Sequence, residues 1–385
     1  MEGKKILAAI TDHDVVISLV LFIYHADIAR LTIDTKTDVV TTSYVSPAIE
    51  ELDEPAKAAG VTILNEVGVD PGVDHLYAVK VIDEVHAKGG QVKEFYSYCG
   101  GLPAPESSDN PLRFKFSWSP RGALLSQHNS AVFLKDGKVV EIPNKNLMAA
   151  AEPYHVIDGY SFVAYPNRNS VPFREFYRIP EAQTVIRGSL RYEGNPALVK
   201  ALIDLGWLNP AAQDWLVSGK TWAQIQQKAT GATTDSEQDL IAKVDEVCNF
   251  PDRTTRAAVL DGIRWIGLLS RKEVDARGSL LDTLSARLAD ICSFEAGERD
   301  LVMLQHKFVV EWRDGTKLLG DPHGYSAMAK AVGVTCGIAT QLLLDGHPAI
   351  AKPGVVALYT KDICDPIREA VEREGTKLID RYSRQ

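Results

Sequence analysis

Residues 39–75 constrain the fold of this chain more than any other stretch. A β-branched run at their start predicts a strand. Ser46-Pro47 is typical of a helix start, where a capping hydroxyl precedes a proline whose missing N–H costs nothing. Gly60 suits a left-handed C-cap, and 61–67 predicts a second strand that ends in a turn. Strand, helix and strand in this order form the βαβ unit of a parallel sheet.

Polar side chains stand where the two strands of this unit end. Ser43 and Tyr44 follow the first strand, and Val69 and Asp70 lie in the turn after the second. Parallel sheets bind their ligands at the carboxyl ends of the strands, so we expect these four residues near a bound ligand.

The residues before this unit predict one more strand and one more helix. The apolar run at 15–20 suits a strand buried on both faces, and 22–36 predicts a helix. The chain contains no GxGxxG, and only thirteen residues precede Asp14, whereas a βαβ unit takes roughly 30 residues. We therefore predict an α/β protein with an incomplete Rossmann-like parallel sheet, whose phosphate-binding half is missing.

The rest of the chain predicts an α+β region with helices inserted in it. Residues 184–193 alternate as a strand does, and Asp136-Gly137 is typical of a hairpin tip. Five helices broken by glycine and proline are predicted at 197–205, 210–216, 236–247, 256–266 and 279–292. Later elements are predicted as a strand at 301–312, a hairpin at Asp314-Gly315 with a return strand at 316–319, a helix at 325–344, and a last helix capped by Asp365-Pro366.

Composition excludes several classes of function. The net charge of -9 argues against nucleic acid as the main partner, because phosphate neutralisation needs a basic face. The five cysteines have no CxxC spacing and predict reduced thiols. No apolar run is long enough to span a membrane and no signal peptide is recognisable, so we expect a cytoplasmic protein without a membrane partner.

Four stretches together resemble one family. They are VVTTSYVSPA, NEVGVDPGVDHLYA, YCGGLPAPESSDNP with KFSWSPRG, and GERDLVMLQHKF with GYSAMAKAVG. The chain resembles saccharopine reductase, the NADP-dependent, L-glutamate-forming saccharopine dehydrogenase, from about Asp14 to the C-terminus. The resemblance implies a homodimer in which aminoadipate semialdehyde condenses with glutamate and NADPH reduces the imine to saccharopine, in lysine biosynthesis.

The resemblance also implies domains and ligand contacts. Residues 1–70, completed by 354–385, would form the C-terminal half of a Rossmann-like NADP-binding domain; 71–194 with 300–353 a catalytic and dimerisation α+β domain; and 195–299 a helical subdomain. Saccharopine would be held by Thr42, Ser43, Val69, Arg168, Ser189, Leu190 and Arg191. The nucleotide would touch Leu19, Gly68, Val69, Asp70 and Trp118.

The chain departs from the family pattern at two further places. Leu21-Phe22-Ile23 stands where the family has a Pro-Tyr-Thr-like turn. Pro55 is a residue that is disfavoured inside the predicted helix. Cofactor binding is the property that these departures affect most.

The chemistry of saccharopine suits some of these residues. Its three carboxylates call for arginine, whose rigid fork binds carboxylates in a bidentate way. Arg168 and Arg191 are therefore candidates, with a surface ion pair as the alternative for each. We expect these guanidinium groups to face the strand ends near Ser43 and Asp70.

Imine reduction also needs a proton donor, and Tyr44, Asp70 and Cys99 are the candidates near strand ends. Each has a structural alternative: Tyr44 as the donor of one structural hydrogen bond, Asp70 as a cap of the following helix, and Cys99 as a small buried hydrophobe. Trp118 stacks on the nucleotide or packs as an ordinary tryptophan.

No metal is expected, because the histidines lack metal-ligand spacing and hydride transfer to an imine needs none. A second interpretation stands beside the enzyme: a catalytically impaired or truncated homologue that keeps the substrate cleft and the dimer interface without binding NADPH. The missing phosphate-binding turn favours it.

Overall fold

The computed structural model describes residues 2–87, 89–310 and 327–375. The chain separates into two compact units. Unit 1 comprises the described parts of 1–97, 172–182 and 304–385, and unit 2 comprises 98–171 and 183–303. The three-domain division implied by the resemblance stays a prediction. The predicted hairpin at Asp314-Gly315 and its return strand at 316–319 lie outside the described residues.

The described residues form fourteen α-helices and eleven strands. The helices are α1 (Glu2–Thr11), α2 (His25–Thr35), α3 (Pro47–Glu50), α4 (Asp53–Ala59), α5 (Val73–Ala87), α6 (Pro120–Ser126), α7 (Phe173–Phe176), α8 (Asn195–Asp204), α9 (Trp222–Thr230), α10 (Glu237–Val247), α11 (Arg253–Ile266), α12 (Leu280–Ile291), α13 (Ala327–Leu344) and α14 (Lys361–Arg373). The strands are β1 (Val15–Ser18), β2 (Asp38–Thr41), β3 (Thr62–Leu64), β4 (Glu94–Pro103), β5 (Ala131–Lys135), β6 (Lys138–Ile142), β7 (Glu152–Tyr154), β8 (Phe162–Pro166), β9 (Thr184–Tyr192), β10 (Asp300–Val309) and β11 (Gly354–Val356).

Unit 1 contains a parallel sheet in the order β1-β2-β3-β11. Helix α2 links β1 to β2, and α3 and α4 link β2 to β3, so the predicted Rossmann-like α/β arrangement is confirmed. The central strands are buried on both faces, as Val39 and Val40 on β2 show. The expectation that β1 is also buried on both faces is wrong, because β1 is the edge strand of the described sheet and Ile17 is 45% exposed.

An apolar core joins one face of this sheet to helices α2, α3 and α4. Its buried members are Ala26, Ala29, Val39, Ile49, Leu52, Ala56, Val61 and Ile63. Burying such side chains contributes roughly 1.5–3 kcal/mol each for the larger ones, so this core fixes the helices that lead into and out of β2.

The helix predicted after Ser46 is in fact two helices. Ser46 caps α3 by accepting a hydrogen bond from the Ile49 N–H, as predicted. The chain breaks before α4, and Pro55 then lies in the first turn of α4, where no backbone N–H needs an intrahelical partner. Gly60 ends α4 in the left-handed conformation, as predicted.

Two further helix predictions are wrong. The last helix begins at Lys361 with Thr360 as its N-cap, so Pro366 lies inside α14 and does not open it. The predicted helix at 210–216 is a set of turns. A helix that we did not predict, α9, follows a capping box in which Thr221 and Gln224 satisfy each other's backbone N–H groups, a signal the sequence carries.

Unit 2 is built around a mixed sheet in the order β10-β4-β9-β5-β6, with β8 beside β9 and β7 beside β8. The residues 94–97 of β4 and 304–309 of β10 are counted with unit 1. The predicted β5–β6 hairpin is confirmed, and both Asp136 and Gly137 adopt positive φ at its tip.

Close packing around β9 requires a glycine. A Cβ added to Gly188 would lie 2.4 Å from the Tyr165 carbonyl oxygen and 2.5 Å from the Tyr98 ring. Gly188 therefore lets β8 and Tyr98 approach the same point of β9. Among the described residues, no helix is both long and apolar enough to cross a membrane.

Candidate functional site

The predicted site residues fall into two sets, one in each unit. Unit 1 holds Leu19, Thr42, Ser43, Tyr44, Gly68, Val69 and Asp70, and unit 2 holds Cys99, Trp118, Arg168, Ser189, Leu190 and Arg191. In unit 1 the carboxyl ends of β1, β2 and β3 meet at one edge of the sheet, because these strands are parallel.

Tyr44 and Asp70 are brought together at this edge. The Tyr44 hydroxyl donates a hydrogen bond to Oδ1 of Asp70, 26 positions later in the chain. Tyr44 follows β2, and Asp70 lies in the turn after β3. Two of the three predicted proton-donor candidates therefore form one hydrogen-bonded pair, which can hold a proton at the end of the sheet.

The turn that presents Asp70 depends on two glycines. Gly72 has φ +145°, and a Cβ there would lie 2.0 Å from the Gly68 carbonyl oxygen. A Cβ on Gly68 would lie 3.2 Å from the Thr42 carbonyl oxygen, so this turn lies against the loop after β2. The Asp74 carboxylate accepts the Gly72 N–H at 2.6 Å. Only glycine fits this close approach of two backbones.

A buried histidine joins the ends of β1 and β2. His25 is 5% exposed; its Nδ1 lies 2.9 Å from the Ser18 hydroxyl, and its Nε2 lies 2.9 Å from the Ser43 hydroxyl. The Thr41 hydroxyl lies 3.4 Å from the same Nδ1 and accepts the Ser43 N–H. Burial lowers the pKa of His25, so the ring is neutral, with one nitrogen donating and the other accepting.

We expect this neutral ring to make unit 1 sensitive to acid. The unfolded chain protonates His25 near its ordinary pKa of 6.5, while the folded chain resists protonation to a lower pH. Stability is therefore complete above pH 6.5 and is lost as pH falls below that value, at up to about 1.4 kcal/mol per pH unit.

His25→Gln should accordingly be less stable than wild type at pH 8. Its thermal unfolding midpoint should nevertheless fall by fewer degrees than that of wild type between pH 7 and pH 5. The pKa of His128, in unit 2, is also lowered by burial, and this group titrates equally in both proteins. Parallel midpoint curves for the two proteins would show that His25 does not carry the acid sensitivity.

A second buried chain of polar groups was not predicted. Glu66, His75 and Tyr177 are 1%, 0% and 3% exposed. The Glu66 carboxylate lies 2.8 Å from Nε2 of His75, and Nδ1 of His75 lies 2.5 Å from the Tyr177 hydroxyl. The sequence offered one signal for it, because Glu66 sits between a strand and a glycine turn whose neighbours are apolar.

The residues implied for nucleotide contact have different surroundings. Leu19 follows β1 and is 68% exposed, within an exposed apolar run that continues to Tyr24. Val69 is buried, 6% exposed. Trp118, in unit 2, is 52% exposed, and its ring lies against Gly122 of α6.

Arg191 is the most buried of the predicted arginines. It lies on β9, is 7% exposed, and its guanidinium stands 5.1 Å from the centre of the Phe114 ring. Its Nη1 donates to the Leu190 carbonyl oxygen at 2.7 Å. Within the described part of the chain, no carboxylate forms an ion pair with it. The burial of Arg191 argues against the alternative of a surface ion pair.

Ser189 shares the Arg191 face of β9. The Ser189 hydroxyl accepts a hydrogen bond from the Asn167 side chain at 3.1 Å, and Ser189 pairs with Tyr165 across β8 and β9. Burial raises the pKa of Tyr165, while the Arg191 charge, and the side chains of Ser189 and Gln127, lower that pKa again. Arg191 therefore stands among polar and aromatic groups that can orient its guanidinium.

The other unit 2 candidates differ from Arg191. Leu190 is fully buried and packs against Gly100 of β4, so its backbone is the part placed near Arg191. Arg168 is exposed in a left-handed turn with φ 48°, and its carbonyl oxygen accepts the Val132 N–H at 2.7 Å. The roles that the resemblance implies for Leu190 and Arg168 stay predictions.

Cys99 differs from the other cysteines. None of the five forms a disulfide within the described residues, and four are buried. Burial raises the pKa of Cys248 and of Cys292 to about 12, so these two thiols are inert. Cys99 lies half-buried on β4. No cluster of three or more metal-ligating side chains occurs in residues 2–87, 89–310 and 327–375.

The parallel sheet with polar groups at its carboxyl edge defines the class of the protein, a Rossmann-like α/β protein of the nucleotide-binding type. Comparison with known families supports this class. Residues 2–64 match the saccharopine dehydrogenase NADP binding domain, and residues 68–376 match the saccharopine dehydrogenase C-terminal domain. The chain belongs to the saccharopine dehydrogenase family.

Individual relatives cover almost the whole chain. It is 49% identical to the saccharopine dehydrogenase [NADP(+), L-glutamate-forming] of Saccharomyces cerevisiae, over 98% of this chain and 85% of that protein. It is 35% identical to the mitochondrial alpha-aminoadipic semialdehyde synthase of Bos taurus, over 97% of this chain and 41% of that protein. The apo structure of the S. cerevisiae saccharopine dehydrogenase (L-Glu forming) superposes with a TM-score of 0.87 at 46% identity, covering 99% of this chain and 87% of that one.

These matches do not support our prediction that the chain is truncated. We expected the nucleotide-binding half to be missing, because no GxGxxG is present. The NADP-binding domain model nevertheless matches from residue 2, and the yeast relative is covered over 85% of its length. The inference failed because it treated one glycine motif as the marker of the whole domain, although the residues before Asp14 already include helix α1 (Glu2–Thr11).

Proposed function

We propose that this protein is an NADP-dependent saccharopine dehydrogenase of the L-glutamate-forming type. It reduces the imine of aminoadipate semialdehyde and L-glutamate to saccharopine, a step of lysine biosynthesis. One observation carries the proposal: identity of 49% over 98% of the chain to a relative with that activity in its name. The geometry of each unit supports one part of the reaction.

The Arg191 environment supports recognition of a carboxylate. The guanidinium of Arg191 is 7% exposed, so it has lost most of its water, and no carboxylate among the described residues forms an ion pair with it. Such a charge is stabilised when an anion binds to it, and a carboxylate does so through two parallel hydrogen bonds. Saccharopine offers three carboxylates. We assign one of them to Arg191 and, with the adjacent Ser189, propose this face of β9 as part of the substrate site.

The Tyr44–Asp70 pair supports the proton transfers. Reduction of the imine adds a hydride to carbon and needs a proton on nitrogen. The Tyr44 hydroxyl, hydrogen-bonded to Asp70, is a group that can hold that proton at a defined place, with Ser43 beside it on the same loop. We propose Tyr44 and Asp70 as catalytic residues, and Thr42, Ser43 and Val69 as substrate contacts. Cys99 and Arg168 stay candidates for catalysis and substrate binding.

The carboxyl edge of the unit 1 sheet fits the nicotinamide end of NADPH, which when bound supplies the hydride. Leu19 presents a large exposed apolar side chain at the end of β1, against which a flat ring can pack. The backbone around Gly68, Val69 and Asp70 lies at the end of β3 in the same edge. We propose these residues, and Trp118 in unit 2, as the nucleotide contacts.

Three further properties are proposals that rest on the resemblance and the composition. We propose a homodimer, a cytoplasmic location, and the division of the chain into a nucleotide-binding part, a catalytic and dimerisation part, and a helical part at 195–299. The helices α8 to α12 all fall within that last range.

An assay that follows NADPH consumption directly tests the proposed activity. The purified chain should consume NADPH only when both L-glutamate and aminoadipate semialdehyde are present, and mass spectrometry should detect saccharopine. In the reverse direction, saccharopine with NADP+ should yield NADPH. Omitting glutamate, or replacing it with D-glutamate, provides the control. Absence of turnover in both directions would contradict the proposal.

A further inference from the structure

Glu66 is a buried carboxylate that the proposed reaction does not use. It is 1% exposed, and its backbone adopts the left-handed conformation with φ 63°. Both properties are unfavourable for glutamate: its carboxyl group has lost water, and a side chain with a Cβ is strained at positive φ. Such a residue persists only where the surrounding structure holds it in place.

The contacts of Glu66 lie on both sides of Tyr44. The Glu66 N–H donates to the Ser43 carbonyl oxygen at 3.1 Å, and Glu66 Oε1 accepts the Val45 N–H at 2.9 Å. One residue therefore binds the backbone immediately before and immediately after Tyr44. The positive φ of Glu66 belongs to this arrangement, in which its own N–H and its carboxylate both reach the loop after β2.

The second carboxylate oxygen of Glu66 contacts His75, which in turn contacts Tyr177. Oε2 lies 2.8 Å from His75 Nε2, and His75 Nδ1 lies 2.5 Å from the Tyr177 hydroxyl. With the proton on Nε2, His75 donates to Glu66 and accepts from Tyr177, so each group in the chain has a partner. The His75 ring also packs against Phe173, stacked at 5.8 Å, and against the edge of Tyr359 at 5.4 Å.

We propose that Glu66 is a positioning residue for Tyr44, with His75 and Tyr177 holding its carboxylate in place. It fixes the backbone on both sides of Tyr44, so that the hydroxyl meets Asp70 in one geometry. This rests on the proposed function, in which Tyr44 takes part in catalysis. Catalytic groups need supporting residues of this kind, since a misplacement of about 1 Å can lower a rate roughly 10²-fold.

Two substitutions at Glu66 test the proposal. Glu66→Ala removes the acceptor of the Val45 N–H and should lower kcat for imine reduction about 30-fold, with KM for NADPH within about threefold of wild type. Glu66→Gln keeps an oxygen for the Val45 N–H and should recover most of kcat, to within about fivefold of wild type. This rescue separates a positioning role from a need for the charge itself.

Glu181 offers a matched control in the same unit. Its Oε1 also accepts a backbone N–H, from Val92 at 3.2 Å, and lies 2.7 Å from a histidine nitrogen, Nε2 of His86. These contacts are made away from the Tyr44 loop. Glu181→Ala and Glu181→Gln should therefore keep kcat within about twofold of wild type. An equal loss from both glutamates would mean that general destabilisation explains the effect at Glu66.

Hydrogen exchange supplies a readout that does not depend on turnover. The Val45 amide should exchange at least about tenfold faster in Glu66→Ala than in wild type, and stay protected in Glu66→Gln. Unchanged exchange, or an unchanged kcat, in Glu66→Ala would overturn the proposal. If Glu66→Ala does not fold, Tyr177→Phe is the alternative variant, since it removes the hydroxyl that contacts His75. Tyr177→Phe should change Val45 exchange and kcat in the same direction by a smaller factor. Wild-type values of both in Tyr177→Phe would overturn the proposal. A wild-type chain without saccharopine dehydrogenase activity would end the proposed function, while the exchange result would still decide whether Glu66 holds the loop.

Discussion

Tyr44→Phe is expected to lower kcat for imine reduction by about 10³-fold, within the range for loss of a positioned proton donor. The substitution removes only the hydroxyl that donates to Asp70 and leaves the ring in place. Substrate and nucleotide should still bind, because neither needs the proton that the hydroxyl holds. KM for glutamate and for NADPH should therefore change by less than about threefold, and steady-state kinetics measures the difference.

Two companion variants make this result specific. Tyr96 also donates to a carboxylate in unit 1, Glu94 at 2.8 Å, so Tyr96→Phe makes the same chemical change elsewhere and should keep kcat within about twofold. Asp70→Asn should lose about as much activity as Tyr44→Phe. The double variant should lose little more than the worse single one, because the two groups act as one pair. Additive losses would show that Tyr44 and Asp70 act independently, and full activity of Tyr44→Phe would exclude it as the donor.

Arg191→Ala is expected to weaken saccharopine binding by about 3 kcal/mol, or roughly 150-fold in Kd. The effect is large because the guanidinium is 7% exposed and no carboxylate of the described chain pairs with it, so the ligand would supply its counter-ion. Arg191→Lys should recover only part of the affinity, since an ammonium group lacks the bidentate fork and the flat contact with Phe114. Isothermal calorimetry measures the Kd for saccharopine of wild type, Arg191→Ala and Arg191→Lys.

Arg121 provides the control for this prediction. It is an exposed arginine of unit 2 that pairs with Asp282 at 2.7 Å, so Arg121→Ala removes the same side chain from a surface ion pair. Its affinity for saccharopine should match wild type, and its unfolding midpoint should change little. Equal affinity of wild type and Arg191→Ala would end the assignment of Arg191 to substrate binding, whatever the effect on stability.

Part of the site could be predicted because its signals are local. A β-branched run, Ser46-Pro47, Gly60 and the turn at 68–72 lie within 40 positions of one another, and each has its own conformational preference. Parallel strand ends then place Ser43 and Asp70 at one edge without further information. Helix ends were harder to predict. Helix α14 begins at Lys361, because the burial of its apolar face outweighs the preference of Pro366 for a first turn.

The sequence by itself determined the Rossmann-like sheet, the hairpin at Asp136-Gly137 and the polar residues at the strand ends, because neighbouring residues suffice to specify them. Only the tertiary structure decided that His25 lies between Ser18 and Ser43, and that Glu66 reaches Tyr177 through His75. The His75–Tyr177 bond spans 102 positions. Pairings of this kind depend on which distant segments pack together, and no local preference of the chain contains that information.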